Sequence, residues 1–296
     1  MPNDERLIIG TRGSALAVWQ TNWVAGRLRE AHPGLDIEIK TINTRGDATQ
    51  AANVPLSSFG EKGIFAKELE DALLAGDVDI AVHSMKDLAH TLPNGLTIGA
   101  VPPREHSGDA LVGSTLDALA QGARVGTGSV RRRALLAERR PDLQFLECRG
   151  NVDTRLRKLD EGQYDAICLA VAGLKRLGLG HRITDRLDPA WFVPDPGQGA
   201  VAVEARIDDA RVMELLKAID DAEASTTTRA ERAFLAAVGG SCQTPIGASA
   251  VVVDGELSMR VMLATSGVVR LAEVKGDVDG AEALGRRGAE LVLPGN

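Results

Sequence analysis

Nine lysines and arginines crowd residues 131–158 (Arg131, Arg132, Arg133, Arg139, Arg140, Arg149, Arg155, Arg157 and Lys158), against the four acids Glu138, Asp142, Glu147 and Asp153. That stretch carries +5 in a chain of net charge −7, which leaves −12 for everything else. Local charge of this kind implies a local anionic partner. Val125-Gly126-Thr127-Gly128-Ser129 reads as a strand end and tight turn, with Ser129 as the N-cap of a helix beginning at Val130. Arginines in a first helical turn oppose the macrodipole, and two like charges about 6 Å apart repel by roughly 3 kcal/mol at an effective dielectric near 20. On these local terms stability alone does not select Arg131 and Arg132, whereas a bound carboxylate or phosphate would. For Arg139, Arg140 and Arg157 a solvated basic face is an equal account.

Two other positions have the makings of chemistry. Cys242 sits in Gly239-Gly240-Ser241-Cys242-Gln243-Thr244-Pro245, where glycines clear space around the sulfur, so it is either an approachable thiol or an inert loop cysteine. Cys148 and Cys168 lie on or beside apolar runs and read as small buried hydrophobes. Lys86 and Asp87 follow the apolar run Ile80-Ala81-Val82, at the strand end where α/β proteins place working residues. A carboxylate there serves as acid, base or cation stabiliser, or simply sits at a helix N-terminus. His83 has no second histidine at metal spacing and reads as a hydrogen-bonded structural residue. Gly60-Glu61-Lys62-Gly63 resembles a mobile loop, but no Walker lysine or dinucleotide fingerprint accompanies it.

Composition narrows the class. With 3% aromatic residues and an acidic balance, the chain lacks the basic excess and stacking rings of nucleic-acid binders. No run approaches the roughly 18 apolar residues of a membrane span, and the N-terminus has no basic, apolar leader, so a cytoplasmic protein is expected. Three scattered cysteines make neither a disulfide framework nor a zinc site, and no metal is expected.

The elements that must hold these residues alternate β-branched runs with amphipathic stretches, the pattern of parallel α/β sheets. Strands are expected around residues 7–9, 37–39, 80–82, 96–98, 110–112, 144–146 and 166–168, and helices over 14–31, 64–75, 130–139 and 152–161. An internal echo runs through them. Gly10-Thr11-Arg12-Gly13-Ser14 is matched by Gly126-Thr127-Gly128-Ser129, Pro33-Gly34-Leu35 by Pro141-Asp142-Leu143, and Asp79-Ile80-Ala81-Val82 by Asp165-Ala166-Ile167-Cys168. Two related lobes are therefore expected, their strand-end loops facing each other across a cleft. Pro102-Pro103 and Pro194-Asp195-Pro196-Gly197-Gln198-Gly199 break the pattern and mark two crossings of a hinge. This divides the chain into a first lobe of 1–101 plus 198–220, a second of 102–197, and a C-terminal α+β domain of 221–296 carrying Cys242. In the last, a helix at 225–237 precedes three alternating runs with hairpin signals at Asp254-Gly255 and Ser266-Gly267.

Taken together, Lys62-Gly63-Ile64-Phe65-Ala66-Lys67-Glu68-Leu69, His83-Ser84-Met85-Lys86-Asp87, Glu138-Arg139-Arg140-Pro141-Asp142-Leu143, Arg149-Gly150-Asn151-Val152-Asp153-Thr154-Arg155 and Pro196-Gly197-Gln198-Gly199-Ala200 give the chain a close resemblance, over nearly its whole length, to the porphobilinogen deaminase (hydroxymethylbilane synthase) family. The resemblance implies two periplasmic-binding-protein-like α/β lobes with a hinge, plus a small α+β domain with a three-stranded antiparallel sheet. It implies a transferase that condenses four porphobilinogen molecules head to tail with loss of ammonia and releases the linear tetrapyrrole hydroxymethylbilane for haem and porphyrin synthesis. Its dipyrromethane cofactor would hang from Cys242 through a thioether. Asp87 matches the catalytic aspartate, which stabilises the cation formed as ammonia leaves. Lys86, Asp87, Thr127, Ser129, Arg131, Arg132 and Arg155 match cofactor contacts; Arg12, Ser14, Arg149, Arg155 and Arg176 match substrate contacts; Lys62 matches a loop contact. Each pyrrole bears an acetate and a propionate, which explains the gathering of arginines. The implied enzyme is a monomer whose product passes to uroporphyrinogen III synthase. Leu88-Ala89, Gly128 and Ser241 depart from common family residues, and none of these changes removes a charged or nucleophilic group.

Overall fold

The computed structural model describes residues 6–44, 66–239 and 244–294. The described chain runs β1 (Arg6–Thr11), α1 (Ala15–Ala31), β2 (Asp36–Thr41), α2 (Lys67–Ala75), β3 (Ile80–Ser84) and β4 (Leu96–Ala100). It continues through β5 (Asp109–Val112), β6 (Arg124–Gly126), α3 (Val130–Arg139), β7 (Gln144–Leu146), α4 (Val152–Asp160), β8 (Ala166–Ala170), α5 (Val171–Arg176) and β9 (Asp185–Arg186). Then come β10 (Val201–Arg206), α6 (Ala210–Lys217), α7 (Ala222–Val238), β11 (Ile246–Val253), β12 (Glu256–Thr265), β13 (Val268–Asp277) and α8 (Ala281–Val292).

These elements form two α/β lobes and a small antiparallel sheet. The first sheet has the order β2-β1-β3-β10-β4 and the second β7-β6-β8-β5-β9. Each has three parallel strands, then a strand running against them: β10 is antiparallel to β3 and β4, and β5 to β8 and β9. The sheets are thus mixed rather than purely parallel. The expected echo recurs at atomic detail. Asp79 Oδ2 accepts from Ile8 N at 2.7 Å in one lobe, and Asp165 Oδ2 from Arg124 N at 2.7 Å in the other, each aspartate tying the strand it precedes to that strand's neighbour.

Both sheets are covered on two faces. Leu7, Ile9, Ile80 and Val203 pack with Val24 and Leu28 of α1 and Leu216 of α6, while Ala81 turns to the other face against Leu69 and Leu73 of α2. In the second lobe Val125, Ala166 and Cys168 pack on Leu135 and Leu136 of α3, and Ile167 and Leu169 face Leu156 of α4. Cys148 and Cys168 are buried, as their apolar surroundings in the sequence imply.

The three-stranded sheet β11-β12-β13 buries Ala248, Met259 and Val261 against Phe234 of α7 and Leu284 of α8. Asp254 and Gly255, and likewise Ser266 and Gly267, all have φ between 51° and 80°, the left-handed pair that matches a two-residue hairpin to strand twist. The chain separates into two compact units, whose described residues are 6–44, 66–104 and 200–225 in the first, and 105–199 with 226–239 and 244–294 in the second. Within the second unit, Met262 and Ala264 of β12 share a core with Leu187, Phe192 and Val193, so the small sheet is continuous with the second lobe.

Candidate active site

In the first unit, β1 and β3 are parallel neighbours and end at the same edge of the sheet. Arg12 leaves the end of β1, and Ser14 caps α1 by accepting from Ala17 N at 3.3 Å. Beyond β3 the chain tightens into a 3₁₀ turn, Met85–Asp87, which carries Lys86 and Asp87. Met85 N donates to Ala200 O at 3.1 Å and Gln20 Nε2 to Ser84 Oγ at 3.0 Å, so the turn is pinned from two sides. Arg12 Nη1 stands 3.9 Å from Asp87 Oδ2, and the Asp87 side chain is 35% exposed, which leaves the carboxylate reachable. His83 is buried with its Nε2 3.1 Å from Glu204 Oε2, at ion-pair distance but without hydrogen-bond alignment. Among the described residues no cluster of histidine, cysteine and carboxylate side chains could hold a metal ion.

The second unit gathers the remaining predicted residues that the structure describes. Thr127 Oγ1 accepts from Ser129 N at 3.2 Å, and Ser129 Oγ caps α3 by accepting from Arg132 N at 3.4 Å. Arg131 and Arg132 follow and are almost wholly buried. Both reach Asp109: Arg131 Nη2 donates to Oδ2 at 2.8 Å, and Arg132 Nε and Nη2 donate to Oδ1 at 3.0 and 2.7 Å. Arg149 Nε donates to Glu147 Oε1 at 2.5 Å, and Arg155 Nε to Gly150 O at 2.7 Å. Arg176 is buried and donates to Gly199 O at 2.7 Å; burial pushes its guanidinium down to about 10, against the opposing pull of Glu105. That value still leaves it cationic near neutrality.

Asp109 amends the local account of Arg131 and Arg132. A protein carboxylate 22 or 23 positions earlier in the chain supplies the partner that the first helical turn lacks, so the pair is neither unsupported nor a solvated face. The other arginines divide. Arg139 stacks over the Trp191 ring at 4.0 Å, and Arg140 binds Asp142, Leu116 O and Leu119 O; Arg157 makes an exposed pair with Glu161. Three further residues support the site, and none was a candidate in the sequence. Asp109 heads the strand Ala110-Leu111-Val112, where an acid before a buried run is its only signal. Gln198 donates to Ser107 O at 2.7 Å and to Asp109 Oδ1 at 3.0 Å. Glu231 on α7, wholly buried, accepts from Gly197 N at 2.6 Å and Ala250 N at 2.8 Å. Cys242 and Lys62 lie outside the described residues.

The family model "Porphobilinogen deaminase, dipyromethane cofactor binding domain" matches residues 7–214, and "Porphobilinogen deaminase, C-terminal domain" matches residues 225–293. The chain belongs to the porphobilinogen deaminase family. Porphobilinogen deaminases of Roseiflexus sp. (strain RS-1), Syntrophotalea carbinolica and Stenotrophomonas maltophilia are 52%, 46% and 47% identical to it, over 88%, 97% and 98% of this chain and 86%, 92% and 96% of theirs. Among solved structures, the periplasmic VFT2 domain of Bordetella pertussis BvgS aligns over 74% of this chain and 88% of its own, at 18% identity and a TM-score of 0.43. As a porphobilinogen deaminase the chain is a transferase of tetrapyrrole biosynthesis with a dipyrromethane cofactor binding domain. The residues present suit so acidic a group. Arg131 Nε is buried with no hydrogen-bond partner among the described residues, Asp195 Oδ2 being 3.7 Å away, and the two buried cations share one fully buried carboxylate, Asp109. A buried guanidinium N–H without a hydrogen bond is equipped to take a carboxylate oxygen.

Proposed function

We propose that this chain condenses four porphobilinogen molecules head to tail, releasing ammonia at each step, on a dipyrromethane held by Cys242 through a thioether, and that water finally cleaves the linear tetrapyrrole from it as hydroxymethylbilane. When bound, that group supplies the free pyrrole carbon from which the chain grows. Asp87 is the catalytic residue. Its partly exposed carboxylate accepts pyrrole N–H groups and opposes the positive charge left on porphobilinogen as ammonia departs. Lys86, Thr127, Ser129, Arg131, Arg132 and Arg155 hold cofactor carboxylates, and Arg12, Ser14, Arg149, Arg155 and Arg176 hold those of the substrate, with Lys62 as a loop contact. The supporting observation is the buried Arg131–Arg132 pair with its orphaned Nε, because a buried guanidinium N–H without a hydrogen bond suits a ligand that brings a carboxylate inside. The enzyme acts as a cytoplasmic monomer whose product passes to uroporphyrinogen III synthase. Among the described residues no helix is long and apolar enough to cross a membrane.

Intact mass of the purified protein tests the anchor. The wild type should exceed its sequence mass by one dipyrromethane, and Cys242→Ser should match its sequence mass. A folded, unmodified wild type from a porphobilinogen-producing host would overturn the assignment.

A further inference from the structure

Asp109 has the geometry of an orienting group. It is the first residue of β5, and none of its surface is exposed. Oδ2 takes Arg131 Nη2, and Oδ1 takes Arg132 Nε and Nη2 together with Gln198 Nε2. The outer edges of both guanidiniums are then fixed by backbone carbonyls, Arg131 Nη1 by Val193 O at 2.7 Å and Arg132 Nη1 by Cys168 O at 2.9 Å. Each planar fork is therefore held at two or more corners, and Arg131 Nε is left buried without a hydrogen bond. A guanidinium held at several corners by good bonds has little freedom to rotate, so the direction of its remaining N–H is set by the protein before any ligand arrives. A solvated arginine pair would have to be ordered afresh by each carboxylate it bound.

We propose that Asp109 is a positioning residue, which orients Arg131 and Arg132, with Gln198 buttressing its carboxylate, so that their unspent N–H donors meet pyrrole carboxylates. This rests on the assignment of Arg131 and Arg132 as cofactor contacts. Gln198 takes part because its amide bridges Asp109 Oδ1 to Ser107 O, which ties the carboxylate to the backbone.

The test uses the full-length protein expressed with porphobilinogen available, in wild-type, Asp109→Asn, Asp109→Glu, Arg131→Leu and Arg132→Leu forms. Intact mass gives the fraction carrying dipyrromethane, porphobilinogen consumption gives kcat and KM per loaded molecule, and near-UV circular dichroism reports the fold. Asp109→Asn should lower cofactor loading or raise KM by about 10–100-fold, by analogy with the loss on removing the partners that orient metal ligands. Asp109→Glu, which restores the charge on a longer arm, should recover part of that loss. In an Arg132→Leu background Asp109→Asn should add less than its single effect, as expected of residues that act through one another. Wild-type loading, kcat and KM in a folded Asp109→Asn protein, while Arg131→Leu and Arg132→Leu fail to load, would overturn the positioning role alone. Full loading in both arginine variants would instead overturn the assignment beneath it. If the Asp109 variants do not fold, the wild type still decides: its ¹⁵N-labelled Arg132 Nε–H should exchange slowly with solvent, and exchange as fast as that of exposed arginines refutes the proposal.

Discussion

Glu231→Leu should destabilise the second unit selectively. The carboxylate is wholly buried and accepts from Gly197 N at 2.6 Å and Ala250 N at 2.8 Å, which joins the turn before β10 to strand β11. Replacing a buried ion pair by apolar residues is often harmless because both partners are removed. Here the donors Gly197 N and Ala250 N are backbone groups that no side-chain substitution removes. Each donor left unpaired costs about 1–3 kcal/mol, so Glu231→Leu should lose about 2–6 kcal/mol. Glu231→Gln keeps one acceptor oxygen and should lose about half as much, roughly 1–3 kcal/mol. Trp191 lies in the second unit and Trp19 and Trp23 in the first, so Trp191 fluorescence in a Trp19→Phe/Trp23→Phe background isolates the relevant transition. The assay is urea unfolding with the denaturant slope compared between variants, since only an unchanged slope makes the midpoint shift a stability difference. A loss below about 0.5 kcal/mol in Glu231→Leu, the size of an ordinary surface substitution, would refute the reasoning. So would a glutamine variant as unstable as the leucine one.

Asp87→Asn should retain attached dipyrromethane, read by intact mass, and lose about 10²–10³-fold in kcat, because the amide keeps shape without charge; near-normal turnover would remove Asp87 from the chemistry. Glu70 on α2 is buried, and burial together with the charge of Glu204 raises its carboxyl from 4.5 to about 7, with His83 and Lys67 opposing and Asp71 reinforcing. A raised folded-state value means the native protein holds the proton more tightly, so this contribution is fully present below about pH 4.5 and is lost as pH rises through about 7, at most about 3 kcal/mol. Glu70→Gln should therefore flatten the fall in first-unit stability between pH 5 and 8, and an unchanged pH slope in denaturant unfolding would contradict this. Gly199→Ala should lose about 2–6 kcal/mol in thermal unfolding, since φ is +87° and a Cβ would stand 2.3 Å from Glu105 O; a loss below about 1 kcal/mol would show that the turn relaxes.

Much of this architecture is legible in residue patterns, and the failures have a common origin. All seven apolar runs became strands at their expected places, because β-branched stretches bounded by turn residues state their own conformation. Their directions were not legible. A strand buried on both faces reads alike whether it runs with or against its neighbour, so β5 passed as a member of a parallel sheet, and β10 was not among the expected strands at all. The Lys86-Asp87 turn was visible because it immediately follows a buried run, whereas the support for Arg131 and Arg132 was not. Asp109, Gln198 and Val193 reach those arginines only through the sheet and the chain crossing, and a window of local charge registers repulsion without its remedy.

The placement of β10 between β3 and β4 has a consequence for the newborn chain. Every strand of the second sheet lies within residues 105–199, an unbroken stretch that can pair up as soon as it clears the ribosome. The first sheet, though begun earlier, has a gap in its middle until residues 201–206 arrive to bridge Ile80–Ser84 and Leu96–Ala100. Vectorial synthesis usually lets the N-terminal part of a protein mature first. Here the order is inverted: the sheet translated second is complete first, and the sheet bearing Asp87 waits, with two strand edges open, for its keystone.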